Sequence, residues 1–396
     1  MKLSSIKLKN FKVFEDETIF FDKNLTVLVG KNGVGKSSVL EAISIVFTWL
    51  IAGIKNKKEQ GEFISEKQVR NNCDKSEITS LFENNTSIRI NYSTSNTYSI
   101  WDTVSLFNKY KDSIPIFVNY GVERAFSVKE TDKKPKLDFD IFSAYDDAVD
   151  SLANFTHFFD WYRYKEDIEN ESLRDGLGLD RELEIVREAI STFMPGFNNL
   201  RIRRNPERMT IDKEGQTFSI NQLSDGEKTY IALVGDLCKR LILANPTLEN
   251  PLLGEGIVLI DELDLHLHPQ WQKEIATRLC ETFPNIQFIV TTHSPLVINS
   301  VKTKHIRIID IENGKANVFE SEYSYGLPVS IVLEDVMGIS NELPKEIKEK
   351  LDSAYDSLDE GDLDKAKSIL EELQSLAPKL PDLVRIRKFI EIKSRK

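Results

Sequence analysis

The run "LTVLVGKNGVGKSS", Leu25 to Ser38, decides the fold. An apolar strand that opens into glycines and then a helix belongs to a parallel sheet covered on both faces. Within it "GKNGVGKS", Gly30 to Ser37, fits the phosphate-loop pattern G-x-x-x-x-G-K-[ST] in the strand-to-helix context that pattern requires. The glycines let backbone N–H groups wrap phosphates, and the helix N-terminus adds its partial positive charge. Lys36 is the residue to reach the β- and γ-phosphates, and Ser37 offers its hydroxyl to Mg²⁺. The candidate nucleotide contacts of the loop are Asn32, Gly33, Gly35, Lys36, Ser37 and Ser38.

A second apolar strand, "GIVLIDE" (Gly256 to Glu262), ends in two carboxylates. At such a strand end Asp261 is the candidate to hold Mg²⁺, directly or through water. Glu262, one residue farther, is the candidate general base for the attacking water. A third, "VTTHSP", places His293 just past another buried strand, where a neutral imidazole reaches the γ-phosphate and the attacking water. His266 and His268 in "DLHLHP" lack a third ligand and read as loop packing or subunit contact rather than zinc. Asp264 in the same loop is the better candidate for a subunit contact.

"QLSDGEKTYIAL", Gln222 to Leu233, poses a separate problem. Ser224 and Glu227 form a capping box ahead of Ile231, Val234, Leu237 and Leu241 at helical spacing. A capped helix explains Ser224 and Glu227. It does not explain Gly226, nor the order of phosphate loop, this segment, carboxylate strand and histidine.

The 396 residues allow one large core or two ordinary ones. The net charge of −11 leaves only local surfaces to attract a phosphate backbone. "RIRRNPER", Arg201 to Arg208, is the best local candidate for nucleic-acid contact. Three scattered cysteines, Cys73, Cys238 and Cys280, read as plain thiols in a reducing cytoplasm. No signal peptide is apparent at the N-terminus. The most apolar run, Val39 to Ile54, contains Glu41 and falls short of a membrane span of about 20 residues, so it reads as a core helix.

Residues 55–115 loosen in pattern around a hairpin in "TSIRINYSTSNTYSIWD", and 125–200 carry an acidic, aromatic segment with Phe155, Phe158, Phe159, Trp161 and Tyr162. These stretches read as an inserted lobe with that aromatic cluster as its core. Beyond Leu343, two amphipathic helices joined by "DEGD" look like one tetratricopeptide-type hairpin. A lone hairpin cannot bury its own apolar face, so it is expected to dock on the core, a second subunit or a partner.

"LSDGEK" resembles the signature motif of the ABC-type ATPases. With "NGVGKSS", "VLIDELDLHLHP" and "TTHSP" the chain is similar to the branch containing RecF, Rad50 and the SMC proteins. The resemblance implies an α/β fold: an ABC-type P-loop ATPase head with an inserted helical/β lobe and a C-terminal α-helical tail. The core would comprise residues 1–54, 116–124 and 210–320, the inserted lobe 55–115 and 125–209, and the helical tail 321–396. It also implies ATP and Mg²⁺ as ligands and a homodimer or higher homo-oligomer. In that arrangement Ser224, Gly226 and Glu227 of one subunit close on the nucleotide held by the other. Asp225 stands where the family commonly has glycine, and Asn119 and Tyr120 follow the strand "IPIFV" where a glutamine would be expected.

Longer phrases, "FVNYGVERAF", "PGFNNLRIRR", "LVGDLCKRLILANP" and "SYGLPVSIVLEDVMG" among them, resemble bacterial anti-phage defence ATPases such as the Septu and retron-associated proteins. That resemblance implies a separate nuclease partner, often of HNH type. The alternative is a RecF-like DNA-binding repair ATPase. A transporter motor fits poorly, given the large insertion ahead of the signature and the absent glutamine.

Overall fold

Strands that are apolar on both faces are stable only inside a covered sheet, and the computed structural model puts them there. It describes residues 1–55, 60–94, 99–101, 110, 112–122, 139–150, 155–338 and 343–394. The chain divides into two compact units, Met1–Gly338 and Ile339–Lys396.

The first unit opens with β1 (Leu3–Phe11), β2 (Phe14–Phe20), β3 (Leu25–Val29) and α1 (Lys36–Lys55). Next come β4 (Lys75–Phe82), β5 (Ser87–Ser93), β6 (Ser99–Trp101), β7 (Ile116–Tyr120), α2 (Phe155–Arg174) and α3 (Arg181–Phe193). A meander of β8 (Phe197–Arg204), β9 (Glu207–Lys213) and β10 (Gln216–Ser219) leads into α4 (Asp225–Ala244). The unit ends with β11 (Gly256–Ile260), α5 (Pro269–Gln272), α6 (Ile275–Thr282), β12 (Ile286–Thr291), α7 (Pro295–Ser300), β13 (Ile306–Glu312), β14 (Lys315–Glu320) and α8 (Val329–Ile331).

The central sheet runs β14-β13-β3-β12-β11-β7, parallel throughout except for β14. Every residue of β3, β7, β11 and β12 is buried. Helix α1 packs against β7 and β12, with Phe47 and Phe117 ring centroids 5.2 Å apart. Burial on most sides accounts for its nearly all-round apolar sequence. The aromatic side chains Phe158, Trp161 and Tyr162 of α2 are also buried. Phe158 lies against α4 at Gly235, where a Cβ would stand 2.6 Å from its ring. These aromatics therefore share one apolar interior with the sheet. Phe159 is half-buried, and the side chain of Phe155 lies outside the described residues.

A second, antiparallel sheet has the order β2-β1-β4-β5-β6. Its strands β4 and β5 come from residues 55–115, and β4 pairs along β1 while β5 pairs β6 as the expected hairpin. Alternate burial along β4, with Ile78 and Phe82 inward, is the signature of a strand half covered by a core. The third sheet is β10-β9-β8, immediately ahead of α4.

The second unit contains α9 (Lys345–Glu360), α10 (Leu363–Leu376) and α11 (Asp382–Lys393). The joint at "DEGD" is set by Gly361 at φ 82°, whose N–H bonds Leu358 O, while the Asp362 side chain caps α10 at Lys365 N. The structure corrects the expectation of a lone hairpin with an open apolar face. Leu383, Ile386 and Ile390 of α11 cover that face, packing with Ile347, Leu351, Ala354, Leu370 and Leu373 into a core belonging to this unit. The basic residues interleaved along α11 hid its three-to-four-residue spacing.

Candidate active site

Because β3, β12, β11 and β7 are parallel neighbours, their carboxyl ends fall on one edge. That edge collects the phosphate loop after Val29, the acids after Ile260, the Thr292–His293 pair and Gly121. This is where ligands bind in open α/β sheets.

In the phosphate loop, Gly33 and Gly35 have φ of 81° and 113°. At Gly35 a Cβ would also stand 2.6 Å from Val13 Cγ2, so that position excludes side chains on two grounds. Asn32 and Ser37 are exposed, Ser38 is half-buried, and Lys36 is buried at the first residue of α1. The Lys36 Nζ donates to the carbonyls of Gly30 (2.8 Å) and Lys31 (3.0 Å), folding the side chain along its own loop. Burial pulls the Lys36 ammonium below its ordinary pKa, and the nearby charges of Asp261, Glu262 and Asp264 oppose that pull. The loop cation and the acids at the end of β11 thus share one electrostatic site. Wrapped N–H groups, an ammonium, an exposed serine hydroxyl and a strand-end carboxylate form a donor set that suits a nucleotide triphosphate with Mg²⁺.

The acids are held by residues that their own sequence does not announce. Thr291, fully buried at the end of β12, donates its hydroxyl to Asp261 Oδ1 (2.5 Å) and accepts the N–H of Glu262 (2.7 Å). Its carbonyl accepts Leu263 N–H at 2.8 Å. Glu262 itself sits at φ 51°, a left-handed conformation costing roughly 1–2 kcal/mol for a side chain of this kind. The Thr291 bonds fix that turn. Thr291→Val, nearly isosteric, removes the hydroxyl's bond to the Asp261 carboxylate, worth about 1.5–3 kcal/mol, together with the bond it accepts from the Glu262 N–H. A drop in kcat of about 10- to 100-fold with KM for ATP little changed is the expected result of steady-state kinetics.

The Oδ1 of Asp264 accepts the Thr292 hydroxyl (2.5 Å) and the His293 N–H (3.1 Å), tying the loop after β11 to the segment carrying the histidine. Gln272 adds a second tie: its amide donates to Leu267 O (3.0 Å) and accepts from the Ser294 hydroxyl (2.7 Å). His293 is half-buried at this junction. The Nδ1 of His268 accepts Gln270 N–H at 3.3 Å and so caps α5.

The signature segment meets the same loop. Gly226 is required because a Cβ there would lie 2.4 Å from the His266 carbonyl oxygen, so the first turn of α4 rests directly on backbone 266–267. The capping box is formed: Ser224 N–H and hydroxyl both donate to Glu227 Oε2 at 2.9 Å. Lys213 Nζ, at the end of β9, pairs with Glu227 Oε1 at 2.7 Å. Burial works against the Glu227 carboxylate, but the bonds from Lys213 and Ser224 outweigh it and hold its pKa below the usual glutamate value. Ser224 and Asp225 are exposed.

In place of a glutamine, Asn119 donates towards Ser44 Oγ at 3.3 Å, and the Tyr120 hydroxyl donates to Asp236 at 2.7 Å. Both side chains are committed to packing around α1 and α4. Residues 123–138, which follow, lie outside the described residues.

Residues 25–299 match the family described as "AAA domain, putative AbiEii toxin, Type IV TA system". The Escherichia coli protein named "Retron Ec83 probable ATPase" is 32% identical over 90% of this chain and 80% of its own length. The Septu protein PtuA of Bacillus thuringiensis is 26% identical over 86% of this chain and 88% of its own. Among solved structures, an SMC head bound to the C-terminal winged-helix domain of ScpA superposes with a TM-score of 0.50 at 19% identity, covering 81% of this chain and 97% of the other. The fold is therefore that of an SMC head, and the protein belongs to the AAA-domain family that residues 25–299 match, as an ATPase related to those of retrons.

Proposed function

We propose that this ATPase is the nucleotide-binding and hydrolysing subunit of a bacterial defence complex, working as a homodimer or higher homo-oligomer through shared ATP and controlling a separate nuclease effector. The observation carrying the shared-nucleotide part is the exposed N-terminus of α4, with Ser224 and Asp225 facing outward while Gly226 is locked onto the loop after β11. A helix N-terminus that is buttressed from within and open on its outer side suits an anion brought by a second subunit. The defence setting and the nuclease, of HNH type, rest on the likeness to the Septu and retron ATPases.

In this mechanism the loop N–H groups and Lys36 grip the β- and γ-phosphates, the lysine leaving the carbonyls of Gly30 and Lys31 to do so. Ser37 and Asp261 would hold Mg²⁺, which supplies charge neutralisation at the phosphate oxygens when bound. Glu262 accepts a proton from the attacking water, held in line by its backbone bond to Thr291, and His293 contacts the γ-phosphate side of that water. Across the dimer, Ser224 swings its hydroxyl from Glu227 to the partner's nucleotide, and hydrolysis removes the ligand that joins the two chains.

The decisive experiment is to purify the tagged chain from its native cell with ATP and Mg²⁺ and measure the intact mass and composition of what accompanies it. A stoichiometric nuclease is the expected result. A bare homodimer, or one carrying only repair proteins, would replace this reading with a RecF-like clamp. Lys36→Ala removes the buried ammonium of the loop, so ATP affinity by equilibrium dialysis is expected to fall about 100-fold or more, equivalent to about 3 kcal/mol for a charged hydrogen-bond partner.

A further inference from the structure

The geometry points to Lys213 as a positioning residue for the nucleotide brought by a second copy of this chain: it holds and neutralises Glu227, and so frees the Ser224 hydroxyl for the γ-phosphate. This rests on the shared-nucleotide reading above and adds what makes the outer end of α4 acceptable to a polyanion.

The first turn of α4 carries two carboxylates, Asp225 and Glu227, at the end where the helix offers its N–H groups. Acids there suit the helix dipole, but they repel the triphosphate that the same N–H groups would bind. Each acid is met by a different lysine. Lys228, one turn along α4, lies 3.3 Å from the exposed Asp225. Lys213, at the end of β9, lies 2.7 Å from the buried Glu227. Among the described residues, Lys213 is the cation within ion-pair distance of Glu227.

Glu227 matters more than Asp225 because it competes for Ser224. Its Oε1 accepts from the Lys213 ammonium, while its Oε2 accepts both the N–H and the hydroxyl of Ser224 at 2.9 Å. A phosphate oxygen accepting that hydroxyl would stand within about 6 Å of the carboxylate, two hydrogen-bond lengths away. With Lys213 in place the carboxylate is compensated, and it can release the hydroxyl while keeping the N–H. Without Lys213, Ser224 is left as the donor to a buried charge. The hydroxyl then stays on Glu227, and an uncompensated carboxylate faces the phosphate.

The scaffold sets the position of this lysine. Glu214 and Gly215, at φ 50° and 80°, make a two-residue turn that fixes the end of β9 against β10. The Lys213 ammonium lies 5.5 Å from the centre of the Phe197 ring, its cross-strand neighbour on β8. That ring meets Trp271 edge to face at 6.3 Å, and Trp271 stacks on Tyr230 of α4 at 5.3 Å. The aromatic row therefore holds the ammonium in register with the helix whose cap it supports.

The test is the dissociation constant of the dimer of the full chain, measured by sedimentation with Mg²⁺ and the non-hydrolysable β,γ-imido analogue of ATP. Lys213→Met should weaken the dimer about 10- to 100-fold, the range for one hydrogen bond to a charged group. Its ATP turnover per chain should climb with protein concentration as the dimer refills. Lys213→Arg keeps the charge and should stay within about three-fold of the unchanged chain. Lys213→Met/Glu227→Gln should recover to within about five-fold, because a capping box accepts glutamine as well as glutamate and no carboxylate is left to compensate. Glu227→Gln alone should dimerise at least as tightly as the unchanged chain, which gives a reading even if Lys213→Met does not fold. A Lys213→Met dimer as tight as the unchanged one overturns the inference, and so does a loss of about ten-fold or more in Glu227→Gln. A double variant no better than Lys213→Met also overturns it, by giving the lysine a packing role alone. An unchanged chain that stays monomeric with the analogue overturns the shared-nucleotide reading itself, and shows this without any variant.

Discussion

Glu262→Gln is expected to lower ATP turnover by about 10²- to 10⁴-fold while leaving ATP affinity within a few-fold of the unchanged protein. The amide keeps the size of the side chain and cannot take a proton from water. The features that place residue 262 are backbone ones, its left-handed turn and its N–H bond to the Thr291 hydroxyl, and they survive the change. Lys36, Ser37 and Asp261 are untouched, so binding persists without the step that ends it. Under the shared-nucleotide mechanism the variant should accumulate as an ATP-dependent closed dimer, read by mass in the presence and absence of ATP. Phosphate release separates the two parts of the idea. Turnover within ten-fold of normal would move the base elsewhere, with His293 next in line; lost turnover in a chain that stays monomeric at saturating ATP would retain the base and discard the shared ligand.

The largest stability effect is expected at Arg240, fully buried on α4. Its Nε donates to Asp236 Oδ2 at 2.7 Å, and its Nη1 donates to the carbonyls of Ala144 (2.7 Å) and Asp146 (2.9 Å). The Tyr120 hydroxyl gives the same carboxylate oxygen a second bond. Arg240→Met therefore strands a buried carboxylate and two carbonyls, and loss of one member of such a pair costs about 3–5 kcal/mol. That is a large part of the roughly 5–15 kcal/mol by which domains are stable. Asp236→Leu/Arg240→Met removes both charges and should be less damaging than the single change.

The pH dependence fixes the sign. Burial opposes the Asp236 carboxylate, but Arg240, Lys239 and Tyr120 outweigh it and hold its pKa below the ordinary aspartate value. A depressed folded-state pKa gives stability that is complete above the unfolded value, about 3.9, and is lost as pH falls through the folded one. Without Arg240 the buried carboxyl instead favours its proton, and the variant is penalised as pH rises above about 4. Denaturation midpoints should therefore differ most near neutrality and converge in acid. A gap of constant size across that range would mean that packing, and not the charge pair, sets the cost.

Local chemistry determined much of this protein from its sequence. The glycines, Lys36 and Ser37 announce a phosphate loop because wrapping an anion needs those residue types within eight positions, and α4 is marked by the four residues of its capping box. Apolar runs bounded by glycine or acid likewise mark β3 and β11 as buried parallel strands. Only the tertiary structure decided which residues hold these motifs in place. Thr291 reaches back across 30 residues to Asp261, Lys213 meets Glu227, and Gly226 proves essential because of a carbonyl 40 residues away. It also decided that β4 and β5 extend the sheet begun by β1, that Arg204 is consumed by acids on α2, and that α11 closes the C-terminal bundle. Each of these is a pairing between segments that are distant or separately unremarkable in sequence. Parallel crossovers and helix docking create such pairings through burial and hydrogen-bond satisfaction, which have no local period for a sequence to display.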